Sequence, residues 1–225
     1  MGQKANPNDV RIGITTRWPS TWYADAKNFS RYLRQDILIR KFLSGKLVDA
    51  GISRIEIERT SAHTSLIIHS SKPGVIIGRS GTAVEDLKKE LQRKFGEHFD
   101  VTIREVKNAD VDAEILAESV AFQLSRRVSF RRAAKGVIKK AMDAGAKGVK
   151  VQISGRLNGA EISRTEFFIE GKIPLQTFRA DISYSSRRAE TTYGTLGVKV
   201  WVFRGEVFKN RIQKKLEMDS LEEVA

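Results

Sequence analysis

Apolar residues recur every three to four positions in some stretches of the chain and every second position in others, and the switches between these periods lay out its elements. From about residue 30 to 50, Leu33, Ile37, Leu38, Phe42, Leu43, Leu47 and Val48 keep helical spacing, with Gly51 placed as a stop. Two alternating runs follow, Arg54–Arg59 and Thr64–His69, separated by polar residues 60–63 and read as a hairpin pair. After Pro73, the apolar Val75, Ile76 and Ile77 precede a glycine-rich loop, and both flanks of that loop are expected to pack into a core. Val84, Leu87, Leu91 and Phe95 then recur at helical spacing up to Gly96, and Phe99–Arg104 alternates as a third strand. The predicted order is helix, strand, strand, helix, helix, strand.

Residues 107–112 are polar and acidic, and the domain boundary is expected there. Beyond it, Leu116, Val120 and Leu124 repeat every four residues. Phe130, Ala134, Val137, Ile138, Ala141 and Met142 mark a second helix ending near Gly145. Four alternating segments close the pattern, at 149–153, 162–169, 179–184 and 198–203. Two helices followed by four strands predict an α+β layer, the helices packed on a mainly antiparallel sheet, rather than a doubly wound parallel sheet. The expected division is an extended arm over 1–29, a first domain over 30–107, a second over 108–207, and a frayed tail over 208–225, acidic from Leu216 onward. Trp18, Trp22 and Tyr23 in the arm are suited either to stacking on bases or to docking on the protein's own surface.

Charge narrows the choice of partner. Forty Lys and Arg against 27 Asp and Glu give a formal charge of +13, which favours a polyanion through phosphate neutralisation and counterion release. A membrane fits less well, since no apolar run approaches the ~20 residues of a spanning helix and no secretory segment follows Met1; a cytoplasmic protein is expected. The chain has no cysteine, which excludes disulfides, thiolate zinc sites and cysteine nucleophiles. His63, His69 and His98 lack metal-ligand spacing, so no metal, cofactor, small-molecule substrate or catalytic residue is assigned.

Chemistry concentrates first in the loop. Gly78 and Gly81 enclose Arg79 and Ser80, which lets the backbone approach a ligand closely and present amides beside a cation; phosphate suits that arrangement. Thr82 with Glu85 resembles a capping box. No Gly-x-x-x-x-Gly-Lys-Ser/Thr or Gly-x-Gly-x-x-Gly occurs, which argues against a nucleotide site. The spacing Ile-Ile-Gly-x-x-Gly-x-x-Val-x-x-Leu resembles the KH domain, whose GxxG loop clamps single-stranded nucleic acid. The order of elements is similar to its type II arrangement.

A second concentration lies in residues 125–140, where Arg126, Arg127, Arg131, Arg132, Lys135, Lys139 and Lys140 occur with no acid. Arg131, Lys135 and Lys139, spaced by four, share one helical face with Arg132 beside them. Like charges so placed repel by a few tenths of a kcal/mol per pair, and an anionic partner would offset this. Arg156 and Arg164 flank a glycine-containing connection that allows close backbone approach, and they complete the candidate RNA contacts.

Taken together, the landmarks Met1–Lys4 with Pro7, Arg11-Ile12-Gly13, the GxxG loop, Phe130-Arg131-Arg132-Ala133, Ser154–Leu157, Gly159–Ile162, Arg179–Ile182 and Thr191–Gly194 leading to Gly197–Trp201 resemble the family of bacterial small-subunit ribosomal protein number three, from residue 1 to about 207. The resemblance implies a structural component of the small subunit. It would bind 16S-type ribosomal RNA in the head beside ribosomal proteins ten and fourteen and line the channel through which messenger RNA enters. Arg131, Arg132 and Lys135 would help open structured messenger there. The competing readings are a non-ribosomal KH factor and a nucleic-acid-processing enzyme. The first should add a barrel or catalytic domain and the second clustered carboxylates or an activated lysine; none of these patterns is visible.

Overall fold

The computed structural model describes residues 4–60, 63–78 and 81–208. Two compact units emerge, one over Trp18–Ala109 and the other uniting residues 4–17 with 110–208. The class is α+β, with an N-terminal KH arrangement followed by two helices on an antiparallel sheet. Arg79, Ser80 and the acidic tail lie outside the described residues.

The first unit contains β1 (Ser20–Thr21), α1 (Ala26–Lys46), β2 (Ile52–Arg59), β3 (Thr64–Ser70), α2 (Pro73–Ile77), α3 (Thr82–Phe95) and β4 (Phe99–Glu105). The sheet order is β1-β2-β3-β4; β2 and β3 are antiparallel and β4 runs parallel to β3. Ile55, Ile57, Leu66 and Ile68 alternate inward to meet Ile39 and Leu43 of α1 and Leu87 and Leu91 of α3. The helix expected from residue 30 begins at Ala26. The capping box is not formed: Thr82 is already helical, and Gly81 occupies the cap with left-handed backbone and no side-chain bond.

Residues 18–29 do not form a free arm. Ser20–Thr21 pairs in parallel with Ile57–Glu58. Trp22 packs on Phe29 and Tyr32 and donates its indole N–H to Asp36 at 2.8 Å, whereas Trp18 and Tyr23 remain exposed.

The second unit contains α4 (Ala113–Ser125), α5 (Phe130–Asp143), β5 (Gly148–Gly155), β6 (Arg164–Gly171), β7 (Ala180–Thr191) and β8 (Gly194–Glu206), in sheet order β6-β5-β8-β7, antiparallel throughout. Val149, Val151, Ile153, Val198, Val200 and Val202 face α4 and α5 across a core completed by Leu116, Val120, Val137 and Ile138. On the opposite face, Ile182, Trp201 and Phe203 cluster with Ile173 and Leu175. The N-terminal segment is tied to this unit: Asn8 exchanges hydrogen bonds with the Tyr184 backbone, and Arg11 is buried beneath the chain at 175–180. Strands β7 and β8 exceed the expected 179–184 and 198–203 because their continuation is polar but still hydrogen-bonded.

Candidate nucleic-acid interface

In the first unit, Pro73 opens α2 at a position where its missing N–H costs nothing. The helix closes at Gly78, whose φ of 69° and ψ of −169° fall in a region essentially reserved for glycine. A Cβ there would also stand 2.7 Å from the Ala83 methyl. Gly81 has φ 80° with open space around it. The two glycines therefore bracket the loop under different constraints, Gly78 both conformational and steric, Gly81 conformational alone. Of the three apolar residues before the loop, only Ile76 is buried; Val75 and Ile77 are exposed, because a one-turn helix offers its core a single side. This corrects the expectation that all three pack inward.

In the second unit, α5 has its apolar side fully engaged: Phe130, Ala133, Ala134, Val137, Ile138 and Ala141 are buried. Arg131, Arg132, Lys135 and Lys139 are exposed on the other side. Lys140 leaves the group, held by Asp110 at 2.6 Å. Among the described residues, no carboxylate forms an ion pair with Arg126, Arg127, Arg131, Arg132, Lys135 or Lys139. Arg126 lies over the exposed Phe122 ring at 4.1 Å. Arg127 closes α4 in left-handed conformation, φ 62°, its N–H donating to Leu124 at 2.9 Å, and its side chain lines a cleft of about 330 Å³ with Phe130, Arg156 and Tyr193. The α4–α5 turn that lines this cleft leads directly into the α5 cations.

Arg156 and Arg164 differ in their engagement. Arg156 donates to the Ala160 carbonyl at 2.9 Å and the Tyr193 carbonyl at 3.2 Å, so it holds the β5–β6 connection to the β7–β8 turn. Arg164 is half-exposed, with Glu166 at 3.3 Å. The sequence gives Tyr193 no role beyond a family landmark and leaves Arg188 unranked among the scattered cations of the second domain. Tyr193 sits in a turn without periodicity, and Arg188 lies beyond the expected end of its strand. Lys150, another cation that the sequence leaves unranked, lies over the Phe167 and Trp201 rings, to which the sheet register brings it. Burial lowers the Lys150 pKa, and the charge of Lys4 acts in the same direction.

Comparison with known families agrees with both halves. The KH domain profile matches residues 38–111, and that of the C-terminal domain of ribosomal protein S3 matches residues 120–202. The chain is 53% identical over 222 residues to small ribosomal subunit protein uS3 of Clostridium acetobutylicum, covering 98% of this chain and all of the relative. It is 51% identical to the uS3 of Desulforudis audaxviator, covering 96% and 99% of the two chains, and 50% identical to that of Enterococcus faecalis, covering 94% and 96%. With both profiles in chain order and near-complete coverage, the chain belongs to the uS3 family of small ribosomal subunit proteins, structural constituents of the subunit that are not enzymes.

Proposed function

We propose that this constituent of the small subunit, working on cytoplasmic ribosomes, anchors ribosomal RNA in the subunit head and lines the channel through which messenger RNA enters. Its first unit presents the loop Gly78, Arg79, Ser80 and Gly81 to an RNA strand. Arg131, Arg132 and Lys135 act on messenger. Arg126, Arg127, Lys139, Arg156 and Arg164 provide further RNA contacts, with Arg156 also holding two loops in place. The observation that carries this reading is the row of exposed α5 cations, Arg131, Arg132, Lys135 and Lys139, without ion pairs among the described residues, above a fully engaged apolar side. Such a row, in a narrow passage, holds separated strands by their phosphates and needs no nucleotide hydrolysis. Exposed Phe29, Leu33 and Ile37, spaced by four on α1, support contact with neighbouring head proteins, by family resemblance ten and fourteen.

Ribosomes reconstituted with Arg131→Ala, Arg132→Ala and Lys135→Ala test this reading. Slowing confined to a message with a stable downstream hairpin is expected, while equal slowing of an unstructured message would assign the three residues to general anchoring instead.

A further inference from the structure

Strand register places four residues in a line across the outer face of the second sheet, away from α4 and α5. Thr165 of β6 is opposite Ser154 of β5, Ser154 is opposite Gly197 of β8, and Gly197 is opposite Arg188 of β7. Their neighbours Ile153, Val198 and Ala189 point into the core, so these four point out. With Gly155, Ser163, Arg164 and Thr195 they line an open cleft of about 490 Å³. The lining contains two guanidinium groups, four hydroxyls and two glycines, and no carboxylate. Gly197 keeps the floor low, since a Cβ there would stand 2.9 Å from Ser154 Oγ.

The adjacent arginines 187 and 188 separate by strand alternation. Arg187 points to the helix side and pairs with Glu114 of α4. Arg188 is exposed on the cleft side and has no ion-pair partner among the described residues. Among the described residues Arg164 is paired with Glu166 alone, at 3.3 Å and half-exposed, a contact that an anion can displace. Ser154 Oγ donates to the Gly197 carbonyl at a long 3.4 Å and is correspondingly free to turn. Glu190, opposite Thr195 on β7, lies next to the cleft outside its lining.

We infer that this cleft is a phosphate-binding site for the RNA backbone, with Arg188 and Arg164 supplying charge and Ser154, Ser163, Thr165 and Thr195 supplying hydroxyl donors to one phosphodiester. The inference rests on the RNA-binding reading above and adds to it a site on another face of the unit. Phosphate suits the cleft better than a base, because no lining residue is aromatic and the donors are numerous.

The full chain, titrated with a uridine 12-mer and followed by backbone amide NMR, tests the site. Gly155 and Gly197 amides are expected to shift on RNA addition in the natural sequence and to stop shifting in Arg188→Gln, with affinity reduced about fivefold near 0.1 M salt and the salt slope reduced by about 0.7. Glu190→Gln should act in the opposite direction and tighten binding. Ser154→Ala with Thr195→Val should weaken binding at unchanged slope. Lys41→Gln, one charge removed from exposed α1, should leave the two glycine amides responsive. If RNA moves amides in 126–140 but not Gly155 or Gly197, the cleft is not a site and the RNA reading stands. If RNA moves none, both fail together.

Discussion

The Nε of Arg11 donates to the carbonyl oxygen of Ala180 at 2.8 Å, joining residues 169 positions apart. The same guanidinium donates to the carbonyls of Pro7, Leu175 and Thr177 at 2.9 to 3.1 Å, and the residue is only 2% exposed. Burial pushes its pKa down, with Asp181 acting in the opposite direction, yet a guanidinium remains charged. Arg11→Met keeps the stem and removes the donors, leaving those carbonyls to find water. The expected loss is about 2–4 kcal/mol, read in urea unfolding as an earlier transition of the second unit. An unchanged midpoint would show that the segment is merely resting on the sheet.

A second buried guanidinium has the opposite environment. Arg59 lies between Asp36 at 2.8 Å and Glu97 at 2.7 Å, with its side chain 6% exposed and stacked on Tyr32. Asp36 also accepts from Ser20 and Trp22, so the network fastens residues 20–22 to α1 and β2. Arg59→Met strands the Asp36 charge and should cost about 3–5 kcal/mol, while adding Asp36→Leu should recover part of that loss. Chemical denaturation of both variants and of Asp36→Leu alone completes the cycle; a double variant weaker than Arg59→Met would contradict it.

These two arginines mark where sequence ran out. Period 3.6 in 130–141 gave both the buried side and the cation row of α5, because one helix carries both facts locally. The KH order was legible for the same reason, each element announcing its own period. Arg11 gives no such signal, since its partners are carbonyls brought near by the turn at 173–180. The alternation predicts an end of β7 at Tyr184, because Ser185, Arg187 and Ala189 do not form an apolar face in sequence. Ala189 packs into the core and Arg187 pairs with Glu114 on a distant helix, while the Ser185 hydroxyl and Arg187 Nε are buried with no hydrogen-bond partner among the described residues. The phosphate cleft depends on register across four strands, which no single strand encodes.

Glu56 is expected to make the first unit sensitive to acid. Burial alone raises its pKa, but His69 Nε2 at 3.3 Å, outside good hydrogen-bond geometry, acts with Arg54 and Arg104 to outweigh burial, and the net shift is downward. A carboxyl with a lowered folded pKa contributes stability above its unfolded value of about 4.3, and that contribution is lost as pH falls through the folded value. Thermal melts from about pH 6 to pH 3 should therefore fall less steeply for Glu56→Gln than for the natural sequence. Parallel curves would remove Glu56 from the acid response.

The bracketing glycines should respond differently to substitution. Gly78→Val forces a β-branched residue into φ 69°, ψ −169° and against Ala83, at about 1–3 kcal/mol or more. Gly81→Asn adopts the left-handed region more readily, meets open space and should cost under about 1 kcal/mol. Urea midpoints of the first unit measure the difference, and equal losses would mean that the surroundings of Gly78 relax freely.

On α5, function and stability should separate in sign. Lys135 stands four residues from both Arg131 and Lys139, so two like-charged pairs meet on an exposed face, each unfavourable by about 0.2–0.5 kcal/mol. No carboxylate among the described residues pairs with any of the three. Lys135→Ala removes both repulsions and installs the strongest helix former without touching Val137, Ile138 or Ala134 beneath. The isolated protein should gain about 0.5 kcal/mol by urea titration at low salt, and the gain should shrink as salt screens the repulsion. RNA binding should move the other way, weakening with a salt slope smaller by about 0.7 for a single strand. A residue serving only as solvated surface would give the stability gain without the change in slope. A residue held by an undetected internal anion would give neither and would lose stability instead, so the paired measurement decides whether this row is kept charged for RNA.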